Sequence, residues 1–315
     1  MAKINPAKKS RWSWYSYDFG NSAYASIVLL AVYSAFFKDV VVGGAEGTRL
    51  WGISIGIAAV IVALISPMLG TVADFTKAKK KFLFVFTAVA VIFTALLFFV
   101  REGDIILGMF FFIMAEIGYR AAQVFYDALL TDVASPEKIG SVSGKGWAFG
   151  MIGGVAALLV VLLPIQLIGN EMIPFAFLIT AGIYLIFSIP TFLWSKEKRN
   201  AEQTRPGENT AVLAFKRLWQ TFRAIKQYKE FVKYVAAFLI YNDGIMMLMD
   251  FAAIIGATLF GMKQIELILF VIVIHIAGFF GCLLFGRISD KRSSKDSIIF
   301  SLVMLIVSVT SLFFI

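Results

Sequence analysis

Apolar residues run along this chain in stretches of about 20 or more, separated by short polar loops, and a bilayer core takes about 20 helical residues to cross. The pattern predicts nine spans, at roughly 14–37, 50–73, 82–101, 105–131, 143–168, 172–194, 231–260, 264–287 and 297–315. Barrel strands would be about 10 residues long and would alternate apolar with polar positions. These runs are continuous, and an isolated span must satisfy its own backbone, so each is expected to be a helix. The predicted fold class is an all-α integral membrane protein with about nine transmembrane helices.

Six spans precede one long polar stretch and three follow it. That arrangement predicts a six-helix bundle over 1–195, a linker over 196–230 and an incomplete second bundle over 231–315. The last span reaches Phe313-Phe314-Ile315 with no polar flank, which reads as a C-terminal truncation lacking three final helices. Within the linker, Arg205-Pro206-Gly207 is a breaker cluster. From Ala211 to Tyr228, Val212, Phe215, Leu218, Trp219, Phe222 and Ile225 recur at helical spacing with cations between them. This predicts either an amphipathic helix lying on the inner leaflet or a plain connector.

Composition strengthens the membrane reading. Sixty per cent of the residues are hydrophobic, against roughly 45–50% in soluble domains, and the mean hydropathy is +0.84. The net charge of +9 comes from cations in loops rather than from a continuous basic surface, so no nucleic-acid partner is expected. Alternate loops hold most of the lysines and arginines, from Lys8, Lys9 and Arg11 to Arg287, Lys291 and Lys295. The opposite loops have only Lys38, Arg49, Arg101 and Lys263, which predicts a cytoplasmic N-terminus and, in a prokaryote, the cytoplasmic membrane. No cleavage site follows the first apolar run, so it reads as a retained span. Cys282 is the single cysteine, which excludes an intrachain disulfide and a thiolate metal cluster. No His-Glu-x-x-His, P-loop or Gly-x-Ser-x-Gly motif occurs, so neither an enzyme, a cofactor nor a metal is expected. Transport, if any, must draw on a gradient.

The candidate chemistry lies in charges placed inside spans. Asp18, in Tyr17-Asp18-Phe19-Gly20-Asn21, and Asp243, in Tyr241-Asn242-Asp243-Gly244, both lie in hydrophobic segments. A carboxylate there costs several kcal/mol unless paired or wetted, and so marks a pathway. Two similar placements point to a duplicated unit with a polar site between its halves. Asp243 lies about 12 residues into its span, roughly 18 Å at 1.5 Å per residue, near the bilayer centre. Asp18 and Asn21 lie nearer the cytoplasmic end, where Asp18 is either a cavity residue or an interfacial neighbour of Trp12 and Trp14.

The fourth span carries Glu116, Arg120, Gln123 and Asp127 within about 60° of arc, which cannot face lipid. Glu116 and Arg120 are expected to pair at i,i+4, leaving Gln123 and Asp127 for substrate or protons; the alternative is a buried polar lock. Asp250 lies seven residues beyond Asp243 on the same face. His275, the single histidine, is either a proton relay or a packing residue. Gly146, Gly150 and Gly154 form small-residue steps suited to close helix contact.

Two helix ends repeat a pattern. The second span ends with Gly70, then Asp74, then Lys77 and Lys79 to Lys81, and the eighth with Gly286, then Asp290, then Lys291 and Arg292. The aspartates are 216 residues apart, against 225 for Asp18 and Asp243. These residues resemble the signature loops of the major facilitator superfamily, although Phe75 stands where Arg is common and neither copy keeps the later Gly.

A narrower resemblance, to the vacuole effluxer (autophagy-related permease) family, rests on four strings. They are Tyr17 to Tyr24, Val124-Phe125-Tyr126-Asp127-Ala128-Leu129-Leu130, Ser143 to Gly150, and Tyr241 to Gly244. That family includes fungal vacuolar amino-acid exporters and bacterial members of uncertain substrate. The resemblance implies a major-facilitator-type bundle, a cavity lined by helices 1, 4 and 7, gating by Gly70, Asp74, Gly286 and Asp290, and efflux of small solutes such as amino acids. The three spans richest in polar residues are independently the first, fourth and seventh.

The reading is thus a monomeric secondary transporter, proton-coupled or facilitative, with Asp18, Asn21, Glu116, Arg120, Tyr241, Asn242 and Asp243 at its site. Its expected partners are a small-molecule substrate, protons where it is coupled, and the bilayer. The competing classes are a non-transporting scaffold or receptor and an inactive truncated permease. The repeat further predicts Asp290 near the start of the fifth helix, around Ser141 to Gly146, and no equivalent partner for Asp74.

Overall fold

The structure is a computed structural model. It describes residues 6–197, 216, 219–220, 223–224, 227–261 and 264–311, with the side chains of 74–76, 246–259, 264–269 and 271–272 outside the description. Nine long helices, and no strand, occur among the described residues. They are α1 (Pro6–Val42), α2 (Gly44–Thr76), α3 (Lys79–Leu96), α4 (Ile105–Val133), α5 (Ile139–Ile168), α6 (Ile173–Trp194), α7 (Lys229–Leu259), α8 (Gln264–Lys291) and α9 (Ser294–Ser311). All but α7 contain a described stretch long and apolar enough to cross a membrane.

Each helix falls on a predicted span, and most run a few residues past it. α1 begins at Pro6 rather than near 14, and α8 continues through Asp290 and Lys291. The extensions are polar or basic, because a helix continues into the interface while its cations reach water. The amphipathic segment over 211–228 falls largely outside the described residues, although Trp219 and Arg223 are helical and the guanidinium lies 5.3 Å from the indole centroid.

The helix boundaries follow from local chemistry. α1 ends at Gly43, with φ of 84°, and α2 at Lys77, with φ of 52°. α1 is also irregular inside: α-helical to Tyr24, it widens to π-helix over Ala25–Ala31 and again over Phe37–Val42. The i−5 hydrogen bonds that close these segments include Val32 N–H to Ile27 (2.8 Å) and Gly43 N–H to Lys38 (3.0 Å).

Packing divides the chain into two units, Met1–Glu202 with Phe279–Ile315, and Gln203–Gly278. In the first unit α1 packs against α5 and α6, while α4 packs against α2 and α3. The core between them is aromatic and fully buried: Trp14, Tyr17, Tyr24, Tyr33, Phe112, Phe125, Phe177 and Tyr184. Its outer surface is apolar too, with Leu30, Ile106 and Leu167 at 71%, 84% and 83% exposure. A soluble protein would not leave so much apolar surface in contiguous patches, so this surface meets lipid.

The α5 glycines create the α1 contact. A Cβ on Gly146 would meet the Trp14 ring, one on Gly150 would sit 2.7 Å from Ser22 Oγ, and one on Gly154 would sit 2.6 Å from Ser26 Oγ. Gly153 lies against the Phe19 backbone itself, so no larger residue fits there without moving a helix.

Candidate functional site

The predicted polar face of α4 meets the N-terminal half of α1 in the first unit. Glu116 is completely buried and pairs with Arg120 Nε one turn on, as expected from their spacing. Tyr24 of α1 donates its hydroxyl to the other Glu116 oxygen at 3.0 Å, and its ring stacks on Tyr119 at 4.6 Å. Two charge-assisted bonds hold this carboxylate in place. Replacing it with an amide should keep weaker versions of both and cost about 1–2 kcal/mol. A Glu116→Gln variant is therefore expected to melt a few degrees lower in detergent while remaining monodisperse; no shift would show that the pair contributes little to packing.

One turn further along, the polar seam continues. Asn21 donates from Nδ2 to Gln123 Oε1 at 3.2 Å, and Gln123 in turn donates to the Tyr119 hydroxyl at 3.4 Å. Gln123, expected to meet substrate, is thus tied to two neighbours.

Asp18 and Asp127 form the next layer. Asp18 is buried beneath Gly150, where a Cβ would sit 3.0 Å from Oδ2, so it is packed between α1 and α5. Asp127, one turn beyond Gln123 on α4, is exposed. The buried hydroxyl of Tyr126 has no hydrogen-bond partner among the described residues. A buried polar atom without a partner costs about 1–3 kcal/mol.

The ring of Tyr126 is fixed by α1. Trp14 stacks on it at 4.4 Å, nearly parallel, while its indole N–H donates to the Tyr126 carbonyl at 3.0 Å; Tyr17 stacks on it at 5.0 Å. Tyr17 reaches further, with its hydroxyl 2.7 Å from Thr87 Oγ1 on α3 and 2.9 Å from the Tyr184 hydroxyl on α6.

The sequence reading quoted Tyr17, Tyr24 and Tyr126 only within strings, without roles. Their signal was available: tyrosines inside a span seek a partner for the hydroxyl, unlike phenylalanines. A second omission is Asp132, which is buried 3.6 Å from Lys79 and joins the start of α3 to the end of α4. Lys79 had been counted with the loop cations, yet it is buried.

The remaining sites stand apart. On α7, in the second unit, Tyr241 and Asn242 are half-buried and Asp243 is exposed. The Asp250 side chain lies outside the described residues, and His275 is half-buried on α8. Asp290 accepts the backbone N–H groups of Gly140 (2.7 Å) and Ser141 (2.9 Å), at the start of α5, where the repeat pattern put it. Gly286 and Gly140 pack against each other, and Gly144 lies against the Cys282 carbonyl. At the earlier copy, no atom among the described residues lies within 4 Å of a Cβ built on Gly70, and the Asp74 side chain lies outside the description. No group of three metal-binding side chains occurs among the described residues.

Comparison with known proteins adds to this geometry. A family model described as vacuole effluxer Atg22 like matches residues 50–314. The chain is 31% identical over 309 residues to an uncharacterized MFS-type transporter, YxiO, of Bacillus subtilis (strain 168), covering 94% of this chain and 71% of that protein. It is 27% identical over 172 residues to autophagy-related protein 22-1 of Penicillium rubens, covering 50% and 28% respectively. Among solved structures it resembles the MFS proton:xylose symporter XylE bound to 6-bromo-6-deoxy-D-glucose. The TM-score is 0.60 and the identity 12%, over 91% of this chain and 69% of that one. This likeness shows a major-facilitator fold.

Proposed function

Because the chain belongs to the vacuole effluxer Atg22-like family of MFS-type membrane transporters, we propose that it is a gradient-driven secondary transporter that expels amino acids or closely related amines in exchange for protons. The observation that carries the proposal is the buried Asp18 carboxylate, packed beneath Gly150 in the layer that also holds Asp127 and the unpartnered Tyr126 hydroxyl. Away from water, an ionised carboxylate such as the buried Asp18 needs a compensating positive charge. A substrate ammonium supplies it, and so does a proton on the carboxylate. The two occupants exclude one another, and that exclusion is what couples one flux to the other.

Arg120 supports the choice of amino acids. Its side chain is two-fifths exposed and is oriented by Glu116 through Nε, which leaves other N–H donors for a substrate carboxylate. In this reading Glu116 positions Arg120, Asn21 and Gln123 set the spacing, and Asp18 and Asp127 bind the cation. Tyr241, Asn242, Asp243, Asp250 and His275, in the second unit, keep the substrate and proton-coupling roles read from their sequence positions. Gly70, Asp74, Gly286 and Asp290 are assigned to the gates. The cation bias of the loops supports a cytoplasmic N-terminus in the cytoplasmic membrane, and the reading takes the monomer as the working unit.

The test is efflux from proteoliposomes loaded with a panel of radiolabelled amino acids. An inward proton gradient should accelerate loss of at least one of them relative to protein-free liposomes, and collapsing the gradient should remove the acceleration. Release at the protein-free rate for the whole panel would overturn the substrate class. Release that ignores the gradient would overturn the exchange.

A further inference from the structure

A cavity of about 450 Å³ opens at the N-terminal end of α1, about one turn before Asp18, between α1, α5 and the end of α8 that belongs to the same unit. Its cations are Lys8, Arg11 and Lys145, and none has an acidic partner among the described residues. Three positive charges around one opening repel each other, so an anion bound among them is stabilised by all three.

The other walls are apolar. Trp12 meets Phe149 edge-to-face at 5.2 Å, and Tyr15 stacks on Phe149 at 5.8 Å, forming a fixed aromatic wall. Trp12 is half exposed. Phe279 and Leu283 of α8 complete the lining. A small soluble anion would need donors alone. This cavity pairs donors with an aromatic and aliphatic wall, the combination that suits a charged headgroup joined to an apolar chain.

We infer that the cavity between α1, α5 and α8 binds the headgroup of an anionic phospholipid, with Lys8, Arg11 and Lys145 on the phosphate and the Trp12–Phe149 wall against the upper acyl chain. The arrangement matches the way basic pockets between transmembrane helices hold anionic headgroups. A zwitterionic choline lipid fits poorly, because its quaternary ammonium would lie among three cations, and no acidic side chain is among the lining residues. The bound lipid would bridge α1 and α5 to α8, the helix that carries Asp290.

Native mass spectrometry of the full chain in neutral detergent tests this, with phosphatidylglycerol, phosphatidylcholine and inorganic phosphate as separate titrants. The intact protein should retain phosphatidylglycerol in preference to phosphatidylcholine. Lys8→Gln/Arg11→Gln/Lys145→Gln should retain it roughly 100-fold less well, at about fivefold per cation. A control with the same charge change at exposed positions, Lys81→Gln/Arg292→Gln/Lys295→Gln, should behave like the parent. The double variant Lys8→Arg/Lys145→Arg keeps the charge and should keep the lipid, which separates loss of the site from loss of the fold. Equal retention by the cavity and control variants would overturn the proposal. Displacement of the lipid by millimolar inorganic phosphate would assign the cavity to a soluble anion instead.

Discussion

Asp18→Asn should abolish proton-driven exchange while leaving the protein in the membrane at normal abundance. The side chain is buried beneath Gly150 and shares its surroundings with Asp127 and the orphan Tyr126 hydroxyl. An amide of the same shape keeps the packing and removes the charge. A hydrogen bond to a charged group contributes about 1.5–3 kcal/mol, so substrate affinity should fall about 10- to 150-fold. The coupling should fail more completely than the affinity, because the carboxylate that remains, Asp127, is exposed, and water can compensate its charge without a proton or an ammonium. Asp127→Asn should weaken exchange in the same direction, and the double variant should add little to either single change, since the two act on one bound cation. Full gradient-driven efflux by Asp18→Asn would remove the carboxylate pair from the mechanism and leave the α7 aspartates as the remaining candidates.

The second large effect is expected at Asp290. Its two oxygens accept the Gly140 and Ser141 amides, among the free N–H groups of the α5 terminus, where the helix dipole also favours a negative charge. Asp290→Ala removes both bonds at once. A loss of about 2 kcal/mol or more would shift the balance between closed and open arrangements of the α5–α8 contact roughly 30-fold. Cys282 reports on this directly, because it is the single cysteine, is half-buried and has its carbonyl against Gly144. A membrane-impermeant maleimide should label it at least about tenfold faster in Asp290→Ala than in the parent, with Asp290→Asn intermediate. Equal labelling rates would mean that the contact is held by the glycine packing and not by the cap.

Much of this architecture could be read from the residues alone, for identifiable reasons. The spans were legible because lipid imposes one rule along the whole chain, and uninterrupted apolar runs have few other uses. The Glu116–Arg120 pair followed from helical spacing, and the docking of Asp290 on α5 from a pattern that occurs twice. The tyrosines were harder. Tyr17 touches Thr87 and Tyr184, residues 70 and 167 positions away, and nothing local to any of the three announces the others. Lys79 misled for a related reason. It sits in a run of lysines that reads as a solvated loop, and only the close approach of α4 brings Asp132 to it. Asp18 was ambiguous because depth along one helix does not say which neighbour covers it; the absence of a side chain at Gly150 lets α5 do so.

α1 has one further property. Its N-terminal half is fastened to α6 by several hydrogen bonds: Ser16 to the Phe187 carbonyl (2.7 Å), Thr191 to the Ser13 carbonyl (2.6 Å), Ser13 with Ser195 (3.1 Å), and Tyr17 with Tyr184 (2.9 Å). The C-terminal half, by contrast, has two π-helical stretches, whose hydrogen-bond register differs from that of the helix on either side. The helix is therefore held to α6 over the carboxylate layer and to α4 beyond it, where Tyr33 donates to the Gly108 carbonyl at 2.9 Å. A change of register is where a helix bends with least disturbance of its ladder, so α1 can adjust past Tyr24 while the distance between Asp18 and Asp127 stays constant.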